Sequence, residues 1–131
     1  MKSESEIQQK IQIEAPHFNC ILMRNNSGAL LDAEGRLVRF GLGNVSKQHQ
    51  DNIKSSDLIG FTKVIITPEM IGKTVAIFTA IEVKKEDWNI NKKLDKRETA
   101  QMNFINWIKN NGGIAGFCNC VQQLKEIFTC K

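Results

Sequence analysis

The sequence has no long apolar run and no apolar leader, although 41% of its 131 residues are hydrophobic. A membrane-spanning helix needs roughly 20 consecutive apolar residues, and no stretch here approaches that length. Residues 1–6, MKSESE, are polar and acidic, and no apolar signal core follows them. We therefore expect no membrane association and a cytoplasmic location.

Cysteine and histidine are sparse, and their spacing matches no metal or disulfide framework. Cysteines lie at positions 20, 118, 120 and 130, and histidines lie at positions 17 and 49. Only Cys118 and Cys120 are close in sequence, and one intervening residue is not the spacing of a zinc knuckle. We expect reduced, partly buried thiols, with a metal or redox role as the minor alternative.

The sequence also lacks internal repeats, linkers and low-complexity tracts. Its length and its 24% of charged residues are typical of one soluble globular domain. We therefore expect residues 1–131 to form a single domain. The formal net charge of +4 suits an anionic partner such as nucleic acid, but it does not demonstrate one.

Capping and turn signals divide the chain into helices and strands. Ser3 is a good helix N-cap with Glu6 three residues later, Pro16 ends that helix, and Gly112 ends a second one. The predicted elements are helices over 3–15, 94–111 and 121–128, strands over 20–23, 57–67, 74–84 and 114–118, and a hairpin over 29–40. A polar loop is expected over 41–56. The order α-β-β-β-β-α-β-α predicts an α/β fold with a central mixed β-sheet flanked by helices.

The strand predicted over 74–84 ends in two charged residues, Glu82 and Lys84. Side chains alternate between the faces of a strand, so these two share one face with Cα atoms about 6.6–7 Å apart. Taken alone, the pair reads as a surface ion pair at the end of a strand. Asp57, which opens the preceding strand, changes that interpretation. Two neighbouring carboxylates repel each other unless a cation lies between them, and Mg²⁺ or Mn²⁺ prefers such oxygen ligands.

Gln101 borders the apolar stripe of the long helix, where a polar amide facing a sheet usually has a partner. It lies about one turn from the apolar residues of the stripe. The alternative is a glutamine at the rim that bonds to backbone. The residues predicted to be buried by this helix are Ala100, Phe104, Ile105, Trp107 and Ile108.

These residues, in this order, resemble the PD-(D/E)XK nuclease superfamily, in which an aspartate opens one strand and Glu-X-Lys ends the next. More narrowly, the chain resembles the virus-type replication-repair nuclease (VRR-NUC) family in its small stand-alone phage form. Ser56 stands where the name of the superfamily has proline. The matching segments are residues 4–8, 24–28, 35–41, 55–60, 80–84 and 101–113.

The resemblance implies a single nuclease domain with a metal-dependent active site. Asp57, Glu82 and the carbonyl of Val83 would bind Mg²⁺ or Mn²⁺. Lys84 would orient or help deprotonate the attacking water and offset charge in the transition state, and Gln101 would position Lys84 or that water. A metal lowers the pKa of its bound water and clamps the scissile phosphate, which agrees with these roles.

The N-terminal helix would supply a further acid. By resemblance this acid is Glu4, which would reach the metal through water, and Glu6 is the alternative. Phosphate contacts are expected from arginines and from a lysine-rich run after the catalytic strand, although that run alone reads as a solvated loop. The predicted DNA-binding residues are Arg24, Arg36, Arg39, Lys85, Lys92 and Lys93.

Stand-alone members of the family are similar to Holliday-junction resolvases and pair as homodimers, so the resemblance implies a homodimer that cuts branched DNA in the cytoplasm of a bacterial host. A two-fold pair of sites suits a symmetric junction. Two alternatives stay open. The chain could be a catalytically silent module that binds DNA junctions, or a nuclease of the same fold directed at RNA.

Overall fold

A computed structural model describes residues 1, 3–52 and 54–129 of the protein. The chain divides into two compact units, Met1–Val64 and Ile65–Lys131. Helices and strands occur in both units, and the sheets include antiparallel and parallel pairs, which confirms the predicted α/β class. None of the described helices is long and apolar enough to span a membrane. The single domain remains a prediction, and Cys130 lies outside the described residues.

The first unit opens with helix α1 (Glu4–Glu14). Ser3 caps it, and Ser3 and Glu6 form the predicted capping box, in which each side chain bonds the backbone N–H of the other residue. A short 3₁₀ turn follows at Ala15–Phe18, because Pro16 cannot continue the α-helical hydrogen bonding. The capping and stop signals in the sequence therefore predicted this helix correctly.

Two antiparallel pairs of strands complete the first unit. Strands β1 (Cys20–Arg24) and β4 (Leu58–Thr62) pair with each other, and β2 (Gly28–Leu31) and β3 (Leu37–Phe40) form the predicted hairpin. Gly60 of β4 lies so close to the carbonyl of Ile21 that a Cβ atom would collide with it. Glycine is therefore required at this position, where β4 pairs with β1.

The predicted loop over 41–56 contains a short helix, α2 (Lys47–Asn52), which the sequence analysis missed. Asn44, just before it, is the buried polar residue of this unit. Its amide donates to the carbonyls of Gly28 and Phe40 at 2.7 and 2.9 Å. These bonds join the loop to the hairpin, so the segment is more ordered than its polar composition indicated.

The second unit contains β5 (Thr79–Val83), α3 (Lys96–Asn110), β6 (Ile114–Cys118) and α4 (Val121–Thr129). Strands β5 and β6 are parallel, with Glu82 opposite Phe117, and β6 packs against both helices. The bounds of β6 are those predicted, and α3 ends before Gly112, whose φ of +87° is the left-handed conformation that glycine adopts at helix ends.

Three details of the fold prediction were wrong. Hydrogen bonding among the described residues gives three two-stranded sheets instead of one central sheet. The predicted order counted four strands before the long helix, whereas the predicted segments already contain five, as the structure does. The strands predicted over 57–67 and 74–84 are shorter, because β4 ends at Thr62 and β5 begins at Thr79. The residues between them are largely exposed, with Ile65 88% exposed. Apolar composition predicts an extended segment but not its pairing.

The buried stripe of α3 also differs from the prediction. Ile105 and Ile108 are buried, and Trp107 is half-buried. Ala100 and Phe104 are exposed, with the Phe104 ring centre 5.7 Å from that of Trp107. Residues 101, 105 and 108 recur at the helical repeat, and Gln101 bonds Glu82 of β5, so Gln101 belongs to the inward face rather than its border.

Candidate active site

Glu82, Lys84 and Gln101 form one chain of hydrogen bonds within the second unit. Lys84 Nζ donates to Gln101 Oε1 at 2.6 Å, and Gln101 Nε2 donates to Glu82 Oε1 at 2.5 Å. Only one orientation of the amide allows Gln101 to accept from an ammonium and donate to a carboxylate. The structure therefore brings together the three residues that the sequence singled out in this half of the chain.

The elements of the second unit account for this arrangement. Glu82 lies near the end of β5, and Lys84 follows the strand with its backbone N–H bonded to the Cys118 carbonyl at 2.9 Å. Both side chains reach Gln101, as their predicted shared face requires. Gln101 lies one turn before the buried Ile105, so packing of α3 fixes its position. All three side chains are half-buried, which protects their hydrogen bonds from water.

Lys84 has further neighbours. Its Nζ lies 3.9 Å from Glu98 Oε1, 5.5 Å from the Trp88 ring centre and 5.1 Å from that of Phe117. The two rings contact each other, with centroids 4.7 Å apart. The lysine side chain is 13% exposed and that of Glu98 is 20% exposed. The ammonium therefore lies among an amide oxygen, a carboxylate and two aromatic faces.

Glu98 also belongs to the start of α3. It forms a capping box with Asp95, whose N–H donates to Glu98 Oε2 at 3.0 Å, and Trp88 Nε1 donates to Glu98 Oε1 at 2.7 Å. The Asp95 backbone N–H, first, and the Trp88 indole lower the pKa of Glu98, because both donate to its charged form. Glu98 therefore carries its negative charge across the neutral pH range.

Sequence analysis did not connect Glu98 or Trp88 with Lys84. Asp95 and Glu98 have the spacing of a capping box, so that signal was present in the sequence. Nothing in the sequence indicated that the same carboxylate approaches Lys84, because Trp88 and Glu98 reach it from separate segments.

The predicted acids Asp57 and Glu4 lie in the first unit, and both are exposed. Asp57 immediately precedes β4, and its backbone carbonyl accepts hydrogen bonds from Asn25 N at 2.9 Å and Gln8 Nε2 at 3.4 Å. Among the described residues, its carboxylate has no hydrogen bond or ion pair. Helix α1 and strand β1 thus hold the backbone at Asp57 while its carboxylate remains accessible.

The predicted arginine contacts differ from one another. Arg36 is exposed and bonds Asp32 at 2.7 Å and Glu34 at 2.8 Å within the hairpin turn. Arg39 is half-buried and donates to the side-chain oxygens of Asn44 at 3.2 Å and Gln50 at 3.5 Å. A phosphate would have to compete with these partners. Arg24 is exposed at the end of β1.

The predicted lysines of the second unit lie together. Lys85, Lys92 and Lys93 line a cleft of about 400 Å³ that Lys84 also borders. Asp87, Trp88, Asn89 and Glu98 complete the lining. Four ammonium groups against two carboxylates make this cleft electropositive, and it opens beside the hydrogen-bonded trio.

The predicted metal ligands are oxygen donors of the kind that Mg²⁺ and Mn²⁺ prefer. Glu82 uses Oε1 for Gln101, and its Oε2 accepts no hydrogen bond from another described residue. Val83, 75% exposed, ends β5 beside it. The described part of the chain contains no group of three or more His, Cys, Asp or Glu residues placed to hold a metal. The donors predicted from the sequence, two carboxylates and a backbone carbonyl, have the chemistry that these cations prefer, but Asp57 belongs to the first unit and Glu82 and Val83 to the second.

Comparisons with family models, with curated proteins and with solved structures found no match to this chain.

Proposed function

We propose that this protein is a metal-dependent DNA endonuclease that hydrolyses phosphodiester bonds, with branched DNA such as a Holliday junction as its preferred substrate. The observation that carries the proposal is the Glu82–Gln101–Lys84 hydrogen-bond chain. It places a carboxylate with one open oxygen beside an ammonium, at the edge of a lysine-lined cleft. A site of this kind suits a reaction in which an anionic phosphate meets a metal ion and a fixed cation.

Each residue of the proposed site has a defined task. Glu82, with Asp57 and the Val83 carbonyl, would hold Mg²⁺ or Mn²⁺, which supplies an activated water and offsets phosphate charge when bound. Gln101 orients Glu82 and Lys84 together, and Lys84 presents positive charge to the phosphate. Glu4 would add a carboxylate through water. The PD-(D/E)XK fold, the VRR-NUC family and phage origin, with its bacterial cytoplasm, belong to this proposal.

Lysines 85, 92 and 93 would bind the phosphates that flank the scissile bond. Their contacts are independent of base sequence, which suits an enzyme that selects DNA by shape. We propose a homodimer because two sites can cut two strands of a symmetric junction. Ile90, 51% exposed, and Val121, 70% exposed, are apolar surface residues available for pairing. Size-exclusion chromatography with and without a four-way junction tests this assembly.

Cleavage of a labelled four-way junction, a flap and a plain duplex with Mg²⁺ or Mn²⁺ tests the function. Wild type is expected to cut the junction, and Lys84→Ala is expected to be inactive. Lys109→Ala is the matched control, because Lys109 is an exposed lysine near the other end of α3. Failure of wild type to cut any DNA would refute the proposal, and cutting of RNA alone would support the RNA-directed alternative. Equal cutting by Lys84→Ala would refute the site.

A further inference from the structure

The groups around the Lys84 ammonium all favour a positive charge. Glu98 attracts it through its carboxylate, and the faces of Trp88 and Phe117 attract it through their ring quadrupoles. Lys84 Nζ also donates a hydrogen bond to Gln101 Oε1.

Glu98 and Trp88 are themselves fixed in place. The Trp88 indole N–H donates to the same Glu98 oxygen that approaches Lys84, and the other oxygen accepts from the Asp95 backbone. The Trp88 ring rests against Phe117 of β6. Lys84 thus meets a carboxylate whose position depends on an indole and a helix start, and not on a mobile surface side chain.

The two capping boxes of the chain show that this arrangement exceeds the needs of a helix cap. Glu6 caps α1 through the N–H and hydroxyl of Ser3. Glu98 caps α3 through Asp95 in the same way, but it also binds Trp88 and approaches Lys84. The indole and the ammonium are the additions that a purely structural cap does not require.

We infer that Glu98 and Trp88 are positioning residues that hold Lys84 as a fixed cation facing the lysine-lined cleft. This inference rests on the proposed function for its catalytic consequence, which is that Lys84 offsets phosphate charge from a fixed position. Lys84 has three N–H donors. Gln101 Oε1 accepts one of them, and Glu98 lies 3.9 Å away, so Lys84 keeps donor capacity for a phosphate oxygen in the cleft that it borders.

Competitive acetylation of the free protein tests the positioning without any substrate. Limiting acetic anhydride acetylates a lysine more slowly when its side chain is held and enclosed, and mass spectrometry gives the rate for Lys84, 13% exposed, relative to the exposed Lys85 in the same peptide. Glu98→Gln removes the charge, keeps one of the two acceptor oxygens and replaces the other with an NH₂ group. It is expected to raise the relative rate of Lys84 about threefold, because the side chain loses the carboxylate that helps to hold it in place.

Two further variants complete the labelling experiment. Trp88→Phe keeps an aromatic face but removes the N–H that holds Glu98, and it is expected to raise the Lys84 rate by a similar factor. Glu6→Gln makes the same change in the capping box of α1 and is expected to leave the rate unchanged. If Glu98→Gln and Trp88→Phe label Lys84 at the wild-type rate, the inference is wrong.

Kinetics on the junction substrate test the catalytic consequence. Glu98→Gln is expected to lower kcat about threefold with an unchanged KM, because a less rigid cation stabilises the transition state less well. Lys84→Arg, which keeps the charge, is expected to retain part of the activity that Lys84→Gln loses. Equal activity of these two variants would refute the role as a cation. If wild type cuts no DNA, the proposed function fails, and the labelling rates still decide whether Glu98 and Trp88 hold Lys84.

Discussion

The two units of the protein carry their predicted functional acids in opposite ways. In the second unit, Glu82 is half-buried and hydrogen-bonded to Gln101, which also binds Lys84. In the first unit, Asp57 is exposed, and the described residues that bond it reach its backbone carbonyl and not its carboxylate. Hydrogen bonds therefore fix the positions of the charged side chains in the second unit. In the first unit, only a bound ligand would fix the position of the Asp57 carboxylate.

Preorganised groups contribute to catalysis without further ordering, because their conformational entropy is already lost on folding. The Glu82–Gln101–Lys84 chain has this property. An exposed carboxylate such as that of Asp57 loses its conformational entropy when it binds a cation. The comparison predicts that substitutions in the two units affect activity and stability differently.

The largest expected effect concerns the two carboxylates. Glu82→Gln and Asp57→Asn are each expected to lower kcat for junction cleavage by about 10²–10³-fold, and chelation of divalent metal is expected to abolish cleavage. Asp57→Asn is expected to change the free energy of unfolding by no more than about 0.5 kcal/mol, since its carboxylate has no partner among the described residues. Full activity of Asp57→Asn would show that the first unit supplies no essential ligand.

The next effect concerns stability and tests whether the two units unfold together. Ile108, 1% exposed in the second unit, is expected to lose about 2–5 kcal/mol of stability when replaced by alanine. Gly60→Ala in the first unit is expected to lose about 1–3 kcal/mol, because the added Cβ meets the Ile21 carbonyl. Both tryptophans, Trp88 and Trp107, belong to the second unit, so their fluorescence reports on that unit.

For each variant, the midpoint of thermal unfolding is measured by tryptophan fluorescence and by circular dichroism. If the two units unfold together as a single domain, Gly60→Ala is expected to lower the midpoint by the same amount in both measurements. A fluorescence midpoint that Gly60→Ala leaves unchanged would show that the units unfold separately, which would contradict the single-domain prediction.

The smallest expected effect is a decrease in the stability of the fold as the pH becomes acidic. Hydrogen bonds from the Ser3 backbone and hydroxyl lower the pKa of Glu6, as those from Asp95 and Trp88 lower that of Glu98, from the ordinary value of 4.5. A carboxyl with a lowered pKa stabilises the fold fully above pH 4.5, and this stabilisation declines as the pH falls and disappears below the folded-state pKa. Thermal midpoints measured from pH 7 to pH 3 are therefore expected to fall less steeply in Glu6→Gln and Glu98→Gln than in wild type. Parallel curves for both variants and wild type would contradict this expectation.

Local signals in the sequence determined much of the secondary structure. The Ser3–Glu6 capping box, the hairpin and the glycine stop after α3 follow from interactions between residues near each other in the chain. The bounds of β6 were also predicted correctly, although its partner strand β5 is distant in sequence. The proximity of Glu82 and Lys84 also follows locally, because strand geometry alone places them on one face. The link between Lys84 and Gln101 was implied by the family resemblance and not by a local signal in the sequence.

Tertiary structure decided the features that depend on distant segments. It ended β4 at Thr62 and began β5 at Thr79, because pairing partners and not apolar composition determine strand length. It gave Arg39 two amide partners and brought Trp88 and Glu98 to Lys84. The sequence by itself identified Lys84 as a charged residue at a strand end, and only the packing of α3 and β6 around it surrounded its ammonium with groups that stabilise a cation.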